Sequence, residues 1–204
     1  MADTLSMLYA AERLRLGGLS AQNDGAYSNP VFGEGPLMPR LMLIGEAPGR
    51  EEAAAGHPFV GKAGRQLNDL LALADIDRGG VFVTNAVKFR PTKHGARGAV
   101  NRTPTAKELA AGEELLRSEI ITVRPNIIAT LGNSPLASAA RLCGIAAPRI
   151  GDAHGRAINA RIGDHAFALF PLYHPASGIY NRALVETMRQ DMIRLGQYIK
   201  EDRA

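Results

Sequence analysis

The side chains in this 204-residue chain that are best suited to chemistry fall in three short segments, each at the end of a compact apolar run. The first, Gly45-Glu46-Ala47-Pro48-Gly49, is a turn bounded by glycines, which permit close approach and let successive N–H groups point at one anion or carbonyl oxygen. It brings carboxylates, Glu46 and Glu52, and leads into Pro58-Phe59-Val60-Gly61. A phenylalanine in so glycine-rich a loop has no regular core face to join, and its ring can offer a plate on which a flat base stacks. The second segment ends an apolar run at Asn85 and continues through Ala86-Val87-Lys88, and the third is Leu172-Tyr173-His174-Pro175-Ala176. Each residue has a plain structural alternative. The turn can be an ordinary strand-to-loop connection, Phe59 can be loop packing, Asn85 can bond its own turn, His174 can be a structural hydrogen-bonder and Glu46 can brace the loop.

Holding such segments together requires a scaffold, and the pattern supplies one. Short strands are predicted at Leu41–Ile44, Val81–Val87, Asn126–Leu131 and Phe167–Leu172. Between them lie a helix over Gly64–Ala74 and one opened by a Thr105/Glu108 capping box, with apolar positions Leu109, Leu116, Ile120 and Val123. A short helix to Leu142 has Ser134 as its N-cap and Pro135 at its first position, and a strongly periodic helix over Arg182–Lys200 closes the chain. Ahead of these, a short helix over Leu5–Leu16 ends at Gly17-Gly18, and Ser20 to Pro39 is an irregular connection. Strands alternating with helices imply right-handed crossovers: an α/β fold, three-layer α/β/α, with a central, mostly parallel, four-stranded sheet in one domain over residues 1–204. Such sheets bind ligands beyond the carboxyl ends of their strands, where the three segments fall.

Composition narrows the class of function. A hydrophobic share of 46% suits a single sizeable core, and no stretch resembles a membrane span or a leader, which reads as a soluble, cytoplasmic protein. The net charge is +4, and from Gly79 to Ala106 there is no acidic residue while Lys88, Arg90, Lys93, Arg97 and Arg102 all occur, so a polyanion is a natural partner and a solvated basic loop the alternative. Cys143 is the single cysteine and reads as packing. Neither a Gly-Lys-Ser/Thr phosphate loop nor a GxGxxG fingerprint is present, which disfavours an enzyme of phosphorylated metabolites.

The stretch GEAPGREEAAAGHPFVGKAG, followed in order by Val83-Thr84-Asn85-Ala86-Val87-Lys88 and by Leu172-Tyr173-His174-Pro175-Ala176, resembles the motifs of family 4 of the uracil-DNA glycosylase superfamily over roughly residues 40 to 200. The resemblance implies a DNA-repair glycosylase that flips uracil out of single- or double-stranded DNA and hydrolyses its N-glycosidic bond. In that role Gly45 and Ala47 line the uracil site, Phe59 stacks on the base, Asn85 reads its edge and His174 lies near O2. An amide can donate to uracil O4 and accept from N3–H, whereas cytosine presents the opposite polarity. A donor at O2 stabilises the negative charge that develops as the bond breaks. Glu46 and Glu52 match acidic family positions and are the candidates to orient water or face the oxocarbenium charge, since Ala47 stands where another branch carries a water-positioning aspartate. On the DNA side, Lys88, Arg90, Ser134 and Arg182 are candidate phosphate contacts, and Ile179 or Tyr180 is the candidate wedge filling the gap left by the flipped nucleotide.

The sequence also departs from the family. Family 4 members typically hold a four-iron, four-sulfur cluster on four cysteines, but here Phe89 follows Lys88 where the family has cysteine, so the iron-sulfur cluster is expected to be absent, apolar packing around Phe89 to replace it, and no cofactor to be needed. Relatives that crosslink to DNA through a loop histidine have an Arg-Arg-Ile-His pattern that the comparable stretch Lys93-His94-Gly95-Ala96-Arg97 lacks. With no lysine evidently set as a Schiff-base nucleophile, a monofunctional, monomeric hydrolase is expected. The alternative is a non-catalytic or weakly catalytic member of the same fold that binds damaged or single-stranded DNA.

Overall fold

Successive residues of a strand point to opposite sides of a sheet, and strand β1 (Leu41–Gly45) is apolar on both. Leu41 and Leu43 join one buried cluster, Met42 and Ile44 the other. A strand buried on both faces needs a covering layer on each, and the chain provides it. In the computed structural model, which describes residues 2–22, 27–96 and 98–201 without the side chains of Ala2, Gln22 and Tyr180, helix α1 (Ala2–Gln22) precedes β1. Helices α2 (Arg50–Ala55) and α3 (Lys62–Leu73) lead to β2 (Val81–Asn85), and a hairpin, β3 (Thr92–Gly95) and β4 (Gly98–Asn101), precedes α4 (Ala106–Val123). Then come β5 (Ile127–Leu131), α5 (Asn133–Leu142), the single turn α6 (Ile150–Ala153), β6 (Ile158–Ile162), β7 (His165–Leu172), the single turn α7 (Ser177–Tyr180) and α8 (Leu184–Glu201).

The main sheet has the order β2-β1-β5-β7-β6. β2, β1, β5 and β7 are the expected parallel strands, and β6 adds a fifth, antiparallel strand at the edge. Leu67 and Leu71 of α3 with Met192, Leu195 and Ile199 of α8 cover one face, while Leu116, Ile120 and Val123 of α4 with Leu136 and Ala139 of α5 cover the other. The three-layer α/β/α class therefore holds. No helix among the described residues is long and apolar enough to cross a membrane.

Several boundaries differ from expectation for identifiable reasons. Helix α1 does not stop at Gly17-Gly18 but runs through them to Gln22, because Leu16 before the glycines and Leu19 after them both pack on one small cluster. Two exposed glycines cost roughly 1 kcal/mol each relative to alanine, less than the burial of those leucines returns. The Thr105/Glu108 capping box forms as read. Helix α5, by contrast, has Gly132 as its N-cap, which puts Ser134 inside the first turn and frees its hydroxyl for another partner.

The small cluster that anchors α1 consists of Leu16, Val87 and Phe89, with Leu19, Tyr27, Ala47 and Leu109 packed on it. Phe89 and Tyr27 meet edge to face at 4.6 Å. A four-cysteine cluster does not fit these residues: the position after Lys88 is a phenylalanine only 5% exposed, and the sole thiol, Cys143, packs instead at the edge of the cluster beneath α4 and α5.

Candidate active site

Parallel pairing puts Gly45 at the end of β1 directly beside Asn85 at the end of β2. The absence of a side chain at Gly45 is what lets the site form. A Cβ there would run into the Asn85 Oδ1 and would stand 2.5 Å from the Cζ of Phe59, so the amide and the ring meet across the glycine. Phe59 itself has φ +57°, in the left-handed region that a bulky side chain seldom adopts. Its conformation is enforced from below: Gly64 of α3 packs so tightly under the Phe59 carbonyl that a Cβ there would overlap it. Strain of order 1–3 kcal/mol persists only where the surroundings over-determine it, and here it aims the ring.

Asn85 is 3% exposed, yet among the described residues its side-chain amide takes no hydrogen-bond partner. His174 follows β7, three strands across the sheet from β2, and its Nδ1 accepts the backbone N–H of Ala176 at 3.1 Å. That bond fixes the neutral tautomer with its proton on Nε2. Burial pushes the His174 pKa below its ordinary value, which favours the same neutral form. Phe59, Asn85 and His174 line one cavity of about 360 Å³, together with Glu46, Ala47 and Ile179. This lies within the size range of small-ligand clefts.

The carboxylates divide into two kinds. Glu52 accepts the Gly61 N–H at 2.7 Å through one oxygen and the Gly49 N–H at 3.1 Å through the other. It thereby braces the Gly45–Gly61 loop from within, and it also lines the cavity, each oxygen keeping a further acceptor site. Glu46 accepts the Ser134 hydroxyl at 2.6 Å through Oε2, and its Oε1 takes no partner among the described residues. One oxygen anchored and the other open to the cavity is an arrangement that can hold a water molecule.

The expected DNA contacts fare unevenly. Lys88 is not a phosphate contact: it is 2% exposed and pairs with Glu119 of α4 at 2.7 Å, so no phosphate can reach it. Ser134 donates to Glu46 rather than facing out as a cap, and its hydroxyl proton is thereby committed. Arg90 is half-buried and donates to the Asn101 Oδ1 at 2.7 Å and to the Ala99 carbonyl. Arg182 is exposed, and Ile179 lines the cavity. Arg97 and the Tyr180 side chain lie outside the described residues. Arg102 is tied to Glu108 through both of its terminal nitrogens at 2.7 Å, and this pairing holds the Glu108 carboxyl down to about 2.

Sequence reading missed further polar lining residues, among them Arg50, Lys62 and Asn101. Arg50 and Lys62 each follow a glycine that opens a helix, Gly49 and Gly61, and a cation beside such a turn was a usable signal. Asn101 comes from the hairpin β3–β4, which exposed polar residues and glycines concealed as a loop. Among the described residues no three of His, Cys, Asp and Glu converge closely enough to hold a metal ion.

Residues 32–195 match the family model for the uracil DNA glycosylase superfamily. The chain is 37% identical over 164 residues to a type-4 uracil-DNA glycosylase of Pyrobaculum aerophilum, covering 80% of each protein. It is 35% identical to a type-4 uracil-DNA glycosylase of Saccharolobus solfataricus, over 80% of this chain and 73% of that protein. A type-5 uracil-DNA glycosylase of Pyrobaculum aerophilum is 30% identical over 82% of this chain and 76% of its own length.

Proposed function

The chain belongs to the uracil DNA glycosylase superfamily, and from that premise we propose that it excises uracil from DNA by hydrolysing the N-glycosidic bond, leaving an abasic site and an intact strand. The observation that carries this reading is the convergence of Phe59, Asn85 and His174, from three distant loops, on one cavity. A pyrimidine flipped into it stacks on Phe59, while the unpartnered amide of Asn85 donates to O4 and accepts from N3–H. With the amide held in the orientation that serves uracil, cytosine is mispaired, and a buried mispaired polar group is costly enough to discriminate strongly.

The Nε2–H of His174 faces the O2 side of the base. Negative charge grows there only as the glycosidic bond lengthens, so this donor favours the transition state over the ground state. The free oxygen of Glu46 orients the attacking water toward the anomeric carbon and offsets the positive charge of the sugar. Ala47 makes room for the base but cannot assist water. Ile179 fills the gap in the stack, and Arg182 with Arg50, Lys62 and Arg90 engages phosphates. The chain does this without a cofactor, the Phe89 packing standing in for a cluster, and it works as a cytoplasmic monomer.

A labelled oligonucleotide with one uracil, treated with the protein and then alkali, is expected to break at that position. An intact strand after long incubation, on both single- and double-stranded substrates, rejects the proposal. The absence of a polar group at Ala47 motivates a second reading, a non-hydrolysing binder of damaged DNA. Salt-sensitive binding without release of free uracil distinguishes it.

A further inference from the structure

We propose that Lys88 is a positioning residue for Asn85, holding the base-reading amide in place through a buried polar network that reaches back to helix α1; the inference rests on the assignment of Asn85 to the uracil edge. The Lys88 ammonium uses all three of its donors. It gives one bond to the backbone carbonyl of Asn85 at 2.6 Å, one to the Thr84 hydroxyl at 2.7 Å and one to the Glu119 carboxylate at 2.7 Å. The Thr84 hydroxyl in turn donates to Glu119, and the Tyr9 hydroxyl of α1 donates to the second Glu119 oxygen at 2.9 Å. Lys88 and Glu119 are 2% and 0% exposed.

A fully buried ion pair is a poor source of stability, because desolvation of the two charges offsets most of their attraction, and well-packed apolar residues often serve as well. Its placement is therefore informative. The third bond of Lys88 goes to the one residue whose side chain has to stay free of protein partners in order to read a ligand. No described residue holds the Asn85 amide by a hydrogen bond, so its aim depends on the backbone that carries it and on contact with Gly45 and Phe59. Clamping the Asn85 carbonyl from behind fixes that backbone without occupying the amide. A displacement of about 1 Å at such a group is enough to cost on the order of 100-fold in rate.

The test is a double-mutant cycle on uracil excision. Lys88→Met leaves Glu119 stranded, so it is paired with Glu119→Gln, which keeps an acceptor for Tyr9 and a partner for Thr84 without a buried charge. The Lys88→Met/Glu119→Gln protein is expected to lose roughly 10- to 100-fold in kcat/KM for uracil. In an Asn85→Ala background the same pair is expected to change the residual rate by less than about threefold, because the residue it acts through is gone. Tyr9→Phe, which loosens the far end of the network and strands no charge, is expected to lose about two- to thirtyfold with the same dependence on Asn85, and this arm stands if the charge-free pair does not fold. Equal losses in both backgrounds, or no loss where Asn85 is present, overturn the proposal. If Asn85→Ala alone leaves excision unchanged, the assignment of Asn85 fails instead, and the positioning role falls with it.

Discussion

The Ser134 hydroxyl donates to the Glu46 carboxylate at 2.6 Å, linking the first turn of α5 to the loop after β1. Hydrogen bonds to a charged group are worth about 1.5–3 kcal/mol, and this one leaves the other Glu46 oxygen without a partner among the described residues, the oxygen proposed to hold water. Ser134→Ala is therefore expected to lower kcat by roughly tenfold with little change in KM, since a mis-aimed carboxylate affects the chemical step more than base binding. Glu46→Gln keeps the Ser134 bond but removes the charge, and its loss should be the larger. Steady-state kinetics on a uracil oligonucleotide check both. A loss confined to KM would show that Glu46 and Ser134 bind substrate rather than orient water.

Gly45 separates Asn85 from Phe59 with no room to spare. Gly45→Ala is expected to push the amide and the ring apart and cost about 100-fold in kcat/KM for uracil. Circular dichroism should still report a folded α/β protein, because the methyl group would face the cavity side. A variant with near-normal activity would mean that the two side chains do not act on one base.

How much of this was legible in the sequence depends on the range of the interactions involved. Strand ends and glycines put Gly45, Phe59, Asn85 and His174 at one edge of the sheet but left each with a plain structural alternative; it was the ordered resemblance of their segments to the family motifs that singled them out. Lys88 was misread because nothing around it reveals Glu119, 31 residues away, and a lysine in an acid-free stretch reads as a surface cation. The bracing bonds of Glu52 were illegible for a related reason, since its partners are backbone N–H groups, which every residue except proline has. Strand β6 was missed although Ile158, Ala160 and Ile162 alternate with Asn159 and Arg161, the period-two signal of a half-buried edge strand, because the run is short and only Ile162 is fully buried. Helix α1 outran its glycines because tertiary packing of Leu16 and Leu19 outweighs local propensity.

The imidazole of His174 gives a pH-dependent signature with a defined sign. Burial lowers its folded-state pKa below the ordinary value of 6.5, so unfolding takes up a proton in the window between the two values. Above pH 6.5 the buried neutral ring imposes no penalty. As pH falls from 6.5 through the folded-state value, stability is lost, and below that value the loss is complete. Denaturant midpoints measured from pH 8 downward should fall more steeply for the native protein than for His174→Gln. Nitrogen NMR at pH 7 should show a neutral ring protonated at Nε2, and a ring protonated at Nδ1 would contradict the bond from the Ala176 N–H.

Phe89 packs with Leu16 and Val87 and meets Tyr27 edge to face, so its removal should loosen α1. Phe89→Ala is expected to destabilise the protein by about 3–5 kcal/mol. At roughly 2–4 °C per kcal/mol for a domain of this size, the thermal midpoint should drop by about 6–20 °C. Excision at a temperature where the variant remains folded should be much less affected, because Phe89 does not line the cavity. A loss of activity without a loss of stability would show that this cluster acts on the site directly.

Ile179 lines the cavity from the single turn α7, beside Ala176 and two residues beyond Ser177. In a duplex the flipped nucleotide leaves a gap that costs a few kcal/mol in lost stacking, and an apolar wedge recovers part of it; a single strand has no such gap to fill. Ile179→Ala should therefore lower excision from duplex DNA by roughly tenfold while changing the single-strand rate little. Arg182 is exposed on the same segment, and Arg182→Ala should weaken both substrates alike and reduce the salt dependence of binding by about one unit of log–log slope. The ratio of duplex to single-strand rates separates the two roles. If Ile179→Ala slows both substrates equally, the isoleucine is part of the base pocket and the wedge lies elsewhere on the loop.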